Sequence, residues 1–388
     1  MFRNKLTLFF ILLFILKNTL FFGQITLSKN AKVSVLTCGK GNELYSVYGH
    51  TALRINDDIS SLDVVYNYGM FDFRTENFYL KFIKGDLQYF VTAYAYNEFF
   101  YEYSAENRSI YEQELKLSEI QKQQLFDNLN TTLFSDKKYY TYKFIDRNCT
   151  TKVMENINAV VGQNCVVKTT DLDKTYREIL YPYVKNHFYE NLGINVIFGK
   201  KVDKLGEKLF LPNELMESLR TVKLNSKPLS GEPKLILKES SKEIPMSFWN
   251  NYYTYCAFFI VVLLSRKNWI YLSLFGVFGI FGVFFSVIGL FSYHQELSYN
   301  YNTLLLNPTY VLLLYFYWKK KYRLFNYMCF INLILLGVYL MILLDKPNLL
   351  MFLPMIIVST ILLIHFYRWS RKKIKTSKII DHDKKELY

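Results

Sequence analysis

Residues Trp269–Phe291 read WIYLSLFGVFGIFGVFFSVIGLF, 23 consecutive positions without a charged side chain. A helix of that length rises roughly 35 Å, enough to cross the ~30 Å hydrocarbon core of a bilayer. Four further apolar runs lie around it: Ser247–Leu264, Thr303–Trp318, Tyr327–Leu344 and Leu349–Tyr367. Residues 247–369 are therefore expected to form a five-span α-helical transmembrane bundle, with several spans near the lower length limit. The gaps orient it. Arg266 and Lys267 fill the first gap, Lys319, Lys320, Lys321 and Arg323 the third, and the tail 370–388 opens with Arg371, Lys372, Lys373 and Lys375. The Ser292–Asn302 gap has no Lys or Arg, and the fourth gap has only Lys346. Lys and Arg accumulate on the cytoplasmic side, so gaps one and three and the tail are predicted inside, and Gln24–Met246 outside.

The rest of the composition fits this layout. Among 388 residues there are 33 Tyr and 33 Phe, and the formal net charge is +14. Much of that charge serves topology, with a secondary pull on anionic lipid headgroups, so no nucleic-acid partner is called for. Arg3 and Lys5 precede the apolar core Leu6–Leu16, which reads as an export signal over 1–23, cleaved near Gly23 or kept as an anchor. Residues 24–222 mix charged, Tyr-rich and apolar residues as a globular domain does. Residues 223–246, rich in Lys, Ser, Pro and Glu, read as a connector. No internal repeat is visible.

Within 24–222 the first half is strand-rich. Val33–Thr37, Thr51–Ile55, Leu62–Tyr68, Leu87–Ala95, Tyr111–Leu117 and Tyr139–Ile145 have β-type composition. Ser118 and Gln121 have capping-box spacing and open a helix to Leu133. Val153, Ile157 and Val160 give a helical pattern over Cys149–Val160, starting at or just after Asn148. Beyond Gly162 helices and loops are expected.

The cysteines stand at 38, 149, 165, 256 and 329, without metal-type spacing, and no cofactor is implied. Cys256 and Cys329 fall in spans and read as packing. Cys38 and Cys165 could bridge in an oxidising compartment, leaving Cys149 free. A helix starting at Asn148-Cys149 aims its unpaired N–H groups at the sulfur and favours the thiolate. Thiol chemistry also needs a base, and the soluble part offers only His50 and His187. His50 begins a strand; His187 sits in an aromatic stretch and reads as structural.

These residues fall into a recognisable order: a His-bearing strand, its hairpin partner, then Asn-Cys at a helix start. That order resembles the circularly permuted papain-like group, including permuted NlpC-type amidases and lecithin:retinol acyltransferase-like enzymes. A closer resemblance runs through Leu36-Thr37-Cys38-Gly39, Glu43-Leu44-Tyr45-Ser46, Gly49-His50-Thr51-Ala52, Tyr66-Asn67-Tyr68-Gly69, Phe71-Asp72-Phe73, Asn77-Phe78-Tyr79 and Asn148-Cys149-Thr150-Thr151. It continues at Phe210-Leu211-Pro212, His294 and Asn302–Pro308. The ordered set is similar to the Lnb-type lipoprotein N-acyltransferases over nearly the whole chain. One position departs: an acidic residue is expected directly before Asn148, where Arg147 stands, with Asp146 one further back.

The resemblance implies an α+β permuted papain-like domain facing the periplasm, tethered in a bacterial inner membrane. It implies transfer of a fatty acyl chain from a phospholipid, through a Cys149 thioester, to the α-amine of a lipoprotein's N-terminal lipidated cysteine. His50 would be the base, with Asn67 or its rival Tyr66 holding the ring. Tyr45, Arg54, Asn148, His294 and Asn302 are the expected substrate contacts, Arg54 and Asp72 having structural readings as well. The Cys149 N–H is the first choice of oxyanion donor. A membrane-anchored cell-wall Cys amidase or endopeptidase, and a non-catalytic lipid-binding module, are the alternatives.

Overall fold

The computed structural model describes residues 25–43, 45–162, 164–184, 187–240 and 247–386. The export signal assigned to 1–23 lies outside them, as does 241–246 of the connector.

The soluble part begins with β1 (Lys32–Cys38), β2 (His50–Asp57) and β3 (Leu62–Met70), followed by a short α1 (Phe78–Lys84), β4 (Gln88–Ala95), α2 (Tyr96–Ala105) and β5 (Ile110–Glu114). Then come α3 (Glu119–Leu133), β6 (Tyr139–Thr141), α4 (Cys149–Val161), α5 (Tyr176–Leu180), α6 (Phe188–Ile197) and α7 (Pro212–Thr221). A small hairpin pairs β7 (Lys223–Leu224) with β8 (Lys227–Pro228), and β9 (Lys234–Leu237) closes the domain. The main sheet has the order β6-β4-β3-β2-β1-β5-β9. Its pairings are all antiparallel.

Strand alternation explains the layers. On β2, Leu53 and Ile55 face a core shared with Leu125 and Leu129 of α3, Val153 and Ile157 of α4, and Leu215 and Leu219 of α7. Ala52 points the other way, joining Leu36 and Val65 against Phe99 and Tyr103 of α2. The connector is more than a tether, because β9 adds the edge strand beside β5 before the chain reaches the membrane. Cys38 and Cys165 are free thiols, so the bridge between them is not formed. Cys38 sits near the start of α4 and Cys165 contacts Asn158 near its end, with roughly 13 Å of helix between.

The membrane part comprises α8 (Tyr252–Leu264), α9 (Asn268–Phe291), α10 (Thr309–Trp318), α11 (Tyr322–Leu343) and α12 (Leu349–Glu386). Every expected run yields a helix, but among the described residues only three are long and apolar enough to cross a membrane: α9, α11 and Leu349–Ser377 of α12. The five-span expectation is thus met in its five helices, of which three qualify as spans by length and composition and α8 and α10 are short. The 13 residues of α8 rise only ~20 Å and the 10 of α10 only ~15 Å. The third run is broken: Tyr301–Leu304 is a 3₁₀ turn, Leu305–Asn307 is non-helical, and the helix starts after Pro308. A Cβ on Gly282 of α9 would strike the Leu306 carbonyl, Asn307 and Pro308, so this glycine lets the irregular segment lie directly on the helix. Such backbone is tolerated at membrane depth only where protein covers it, and Leu305, Leu306 and Asn307 are buried.

The two parts are locked together. Phe188, Leu192, Val196 and Ile197 of α6 pack on the bundle core. Asn302 donates through Nδ2 to the carbonyls of Asn195 and Val196 and accepts from the Tyr339 hydroxyl on α11.

Candidate active site

The site grows from the start of α4. Asn148 caps the helix: its Oδ1 accepts the Thr151 N–H at 3.0 Å, and the Thr151 hydroxyl accepts the Asn148 N–H at 2.9 Å. Its Nδ2 donates to the carbonyls of Phe144 and Phe210, both at 2.8 Å. Every polar atom of this buried side chain is thus used in holding the helix start, so Asn148 anchors Cys149 instead of meeting substrate. The Thr150 hydroxyl meets that of Thr51 on β2 at 3.2 Å, fixing α4 to the strand that carries His50. Cys149 is the first helical residue, partly buried, with the helix dipole behind its sulfur.

His50 faces Cys149 from β2. Its Nε2 is hydrogen-bonded to Asn67 Oδ1 on the neighbouring β3. An amide oxygen only accepts, so Nε2 carries the proton and Nδ1 is left as acceptor for the thiol. Asn67 is fixed in turn, donating to the Tyr94 hydroxyl at 2.7 Å, which donates to Glu102 at 3.2 Å. Tyr66, the rival orienter, points to the opposite face and donates to Asn130.

Burial alone would push the Cys149 thiol up. The charge and hydrogen bond of His50, with the Thr51 N–H and the Thr150 hydroxyl, outweigh it and hold the thiol below its ordinary value. Burial likewise opposes the His50 cation, but Cys149 and Asn67 raise that ring above its usual value. The pair therefore favours thiolate and imidazolium together. Alkylation of Cys149 by iodoacetamide should show a rate–pH midpoint below the 9.0 of an ordinary thiol. Because only the thiolate reacts, His50→Ala should move that midpoint upward; an unchanged midpoint would show that the ring does not act on the sulfur.

Gly69, at φ +94°, adopts a conformation that favours glycine, and its missing side chain opens the site. The point where a Cβ would sit is 3.6 Å from Cys149 Cβ, 3.8 Å from His50 Cε1 and 4.0 Å from the Tyr140 hydroxyl. That hydroxyl is buried against the Gly69 backbone without a well-formed hydrogen bond. Arg147 and Lys152 place cations 5.5 and 5.7 Å from the Tyr140 ring centre. Here is an unused donor beside a nucleophile, in a positive field. Nothing in the sequence singled out Tyr140; only the pairing of β6 with β4 brings it here.

Other expected contacts lie elsewhere. Arg54 is saturated by Asp63 and Glu112 and stacked on Tyr96 at 3.4 Å, an ion-pair site four residues along the strand from His50. Asn302 is 0% exposed and its amide is spent on protein partners, so it cannot meet a headgroup. His294 donates from Nε2 to the Phe82 carbonyl at 2.9 Å, and burial holds it below its ordinary value: it docks α1 onto the membrane part. Tyr45 stays 62% exposed, edge-on to Phe71. Asp146 is held by Lys201 and Lys208. Asp72 pairs with exposed Arg74, and His187 lies 3.8 Å from Glu190. Among the described residues no cluster suited to a metal ion occurs.

Two family models match the chain: residues 23–181 match the Lnb N-terminal periplasmic domain, and residues 238–377 match the Lnb transmembrane domain. No curated protein and no solved structure matches.

Proposed function

This chain has the two-part Lnb architecture, a periplasmic domain followed by a transmembrane domain, and from that premise we propose that it is a lipoprotein N-acyltransferase of the inner membrane. Its periplasmic domain is read as a permuted papain-like unit. The acyl donor is a membrane phospholipid and the acceptor is the α-amine of a lipoprotein's N-terminal lipidated cysteine. The observation that carries this reading is a Cys149–His50–Asn67 constellation built on elements bonded to the membrane part. Lys143 donates to the Gly85 carbonyl at 2.7 Å and to the Tyr293 carbonyl at 3.1 Å, six residues before Cys149. A wall hydrolase needs only one anchor; a site fixed against the bilayer suits a substrate that comes from it.

The steps follow from the geometry. His50 Nδ1 takes the Cys149 proton, and the thiolate attacks the ester carbonyl. As the tetrahedral oxyanion collapses, the C–O bond breaks, the lysophospholipid oxygen takes the proton from His50, and a Cys149 thioester remains. The acceptor amine then attacks that carbonyl and gives its proton to His50. The C–S bond breaks, the amide departs, and the thiol is restored. Asn67 holds the ring but cannot itself carry the proton. The Cys149 N–H, which has no acceptor within the helix, and the Tyr140 hydroxyl are the oxyanion donors.

Intact mass spectrometry after incubation with phospholipid should find one acyl group on Cys149. A lipidated N-terminal cysteine peptide with a free α-amine should remove it and become acylated. An unmodified Cys149 with an acylated peptide would overturn the thioester route, and an unmodified Cys149 with no acylated peptide would favour the lipid-binding or wall-hydrolase alternatives.

A further inference from the structure

The segment before β4 carries apolar side chains that the soluble core does not use. Phe73, Tyr79, Leu80 and Phe82 are 62%, 72%, 68% and 45% exposed. Scattered surface apolar groups need no explanation, but four within ten residues on one short helix and its lead-in loop do.

The height of this segment is fixed by hydrogen bonds. The Tyr293 N–H donates to the Lys84 carbonyl at 2.7 Å, the Ser292 hydroxyl donates to the Ile83 carbonyl at 2.7 Å, and His294 donates to the Phe82 carbonyl at 2.9 Å. All three donors directly follow Phe291, the last residue of spanning helix α9. The end of α1 is thus fastened where an apolar helix leaves the hydrocarbon. Leu290 and Phe291 are exposed there, and Lys84 lies 5.9 Å from the Phe291 ring centre and 5.6 Å from that of Tyr293. The exposed side chains of α1 therefore lie beside the exposed end of α9. Aromatic rings with lysines at their edge are what a membrane–water interface selects, and Lys81 and Lys84 occupy the last turn.

The same aromatics lead inward. Phe82 stacks on Phe78 at 6.4 Å, Phe78 meets Phe71 at 5.8 Å, and Phe71 follows Gly69 by two residues. Gly69 borders Cys149.

We propose that Phe73–Lys84 is a membrane-dipping segment, seated in the outer leaflet beside α9, that presents a lipid acyl chain to Cys149 past the Phe82 and Phe71 rings, which flank the buried Phe78. The delivery half rests on the acyl-transfer reading; the membrane contact does not.

The test uses the full chain in phospholipid nanodiscs whose lipids carry a clickable acyl chain. A benzophenone amino acid replaces Leu80 in one sample and Tyr101, 75% exposed on α2, in another. Photolysis should label position 80 with lipid at least about tenfold over position 101. Equal labelling, or none at position 80, overturns the membrane contact. Separately, Leu80→Glu should lower the preference for bilayer phospholipid over a short, water-soluble ester as acyl donor. The drop should be about tenfold, the loss expected when one buried leucine leaves hydrocarbon. Strong labelling at position 80 with an unchanged preference would overturn delivery while leaving the contact standing.

Discussion

Cys149→Ser and His50→Ala are each expected to cut acyl transfer by roughly 10³-fold or more, and the double variant should be little worse than either. The reason is that the two act as one unit. The hydroxyl of a serine at 149 would not be held as an anion by the same contacts that favour the thiolate, and without His50 the buried thiol stays protonated. Asn67→Ala should cost less, since it removes the ring's orienter and leaves the base. Control substitutions have a physical basis too. Cys165 meets Asn158 near the far end of α4, so Cys165→Ser should leave the rate near that of the parent. Cys38 is fully buried, and burial pushes its thiol far above the range where it could compete. Rates of amide formation with a lipidated peptide, on variants shown to be folded, decide this. A Cys149→Ser protein that kept most of its activity would reduce Cys149 to a packing residue and sink the thioester mechanism.

What the sequence made legible was whatever a short window encodes. The alternation of β1 to β4, the Ser118–Gln121 capping box and the start of α4 at Cys149 are local patterns, and the elements appear within a few residues of their expected bounds. The Cys149–His50 pair was legible for a different reason: a lone cysteine and a lone histidine 99 positions apart carry little by themselves, and the ordered motifs of the resemblance paired them. Helices α1 and α2 were not. Their aromatic-rich sequences carry β-type propensity, and α1 is held by bonds to residues 292–294, more than two hundred positions away. Hydropathy located the five membrane helices but not where each begins, so the break at Asn307-Pro308 and the contact with Gly282 were invisible. The polar gap after α9 misled for a related reason. Composition cannot tell a polar group facing lipid headgroups from one facing protein carbonyls, and Asn302 and His294 turned out to face protein.

Tyr140→Phe is the sharper test of how the site stabilises charge, with an expected loss of about 100-fold in the rate of Cys149 acylation. The change deletes one oxygen and keeps the ring, so its packing against Tyr68 and the nearby Arg147 and Lys152 cations should survive. In the resting protein that hydroxyl has only the Gly69 backbone beside it and no well-formed hydrogen bond, so its removal should cost little stability. A purely structural tyrosine would therefore tolerate the substitution. An oxyanion donor would not, because its hydrogen bond forms only as the ester oxygen gains charge. The loss should fall on the rate constant at saturating donor, with little change in apparent donor affinity. The iodoacetamide rate–pH midpoint of Cys149 should stay where it was, since His50 and Thr51 set the thiol and Tyr140 does not. Single-turnover formation of the thioester, read beside that titration, separates the roles. A parental acylation rate in Tyr140→Phe would leave the Cys149 N–H as the proposed oxyanion donor without Tyr140. A moved titration would make Tyr140 part of the thiol's electrostatic setting instead.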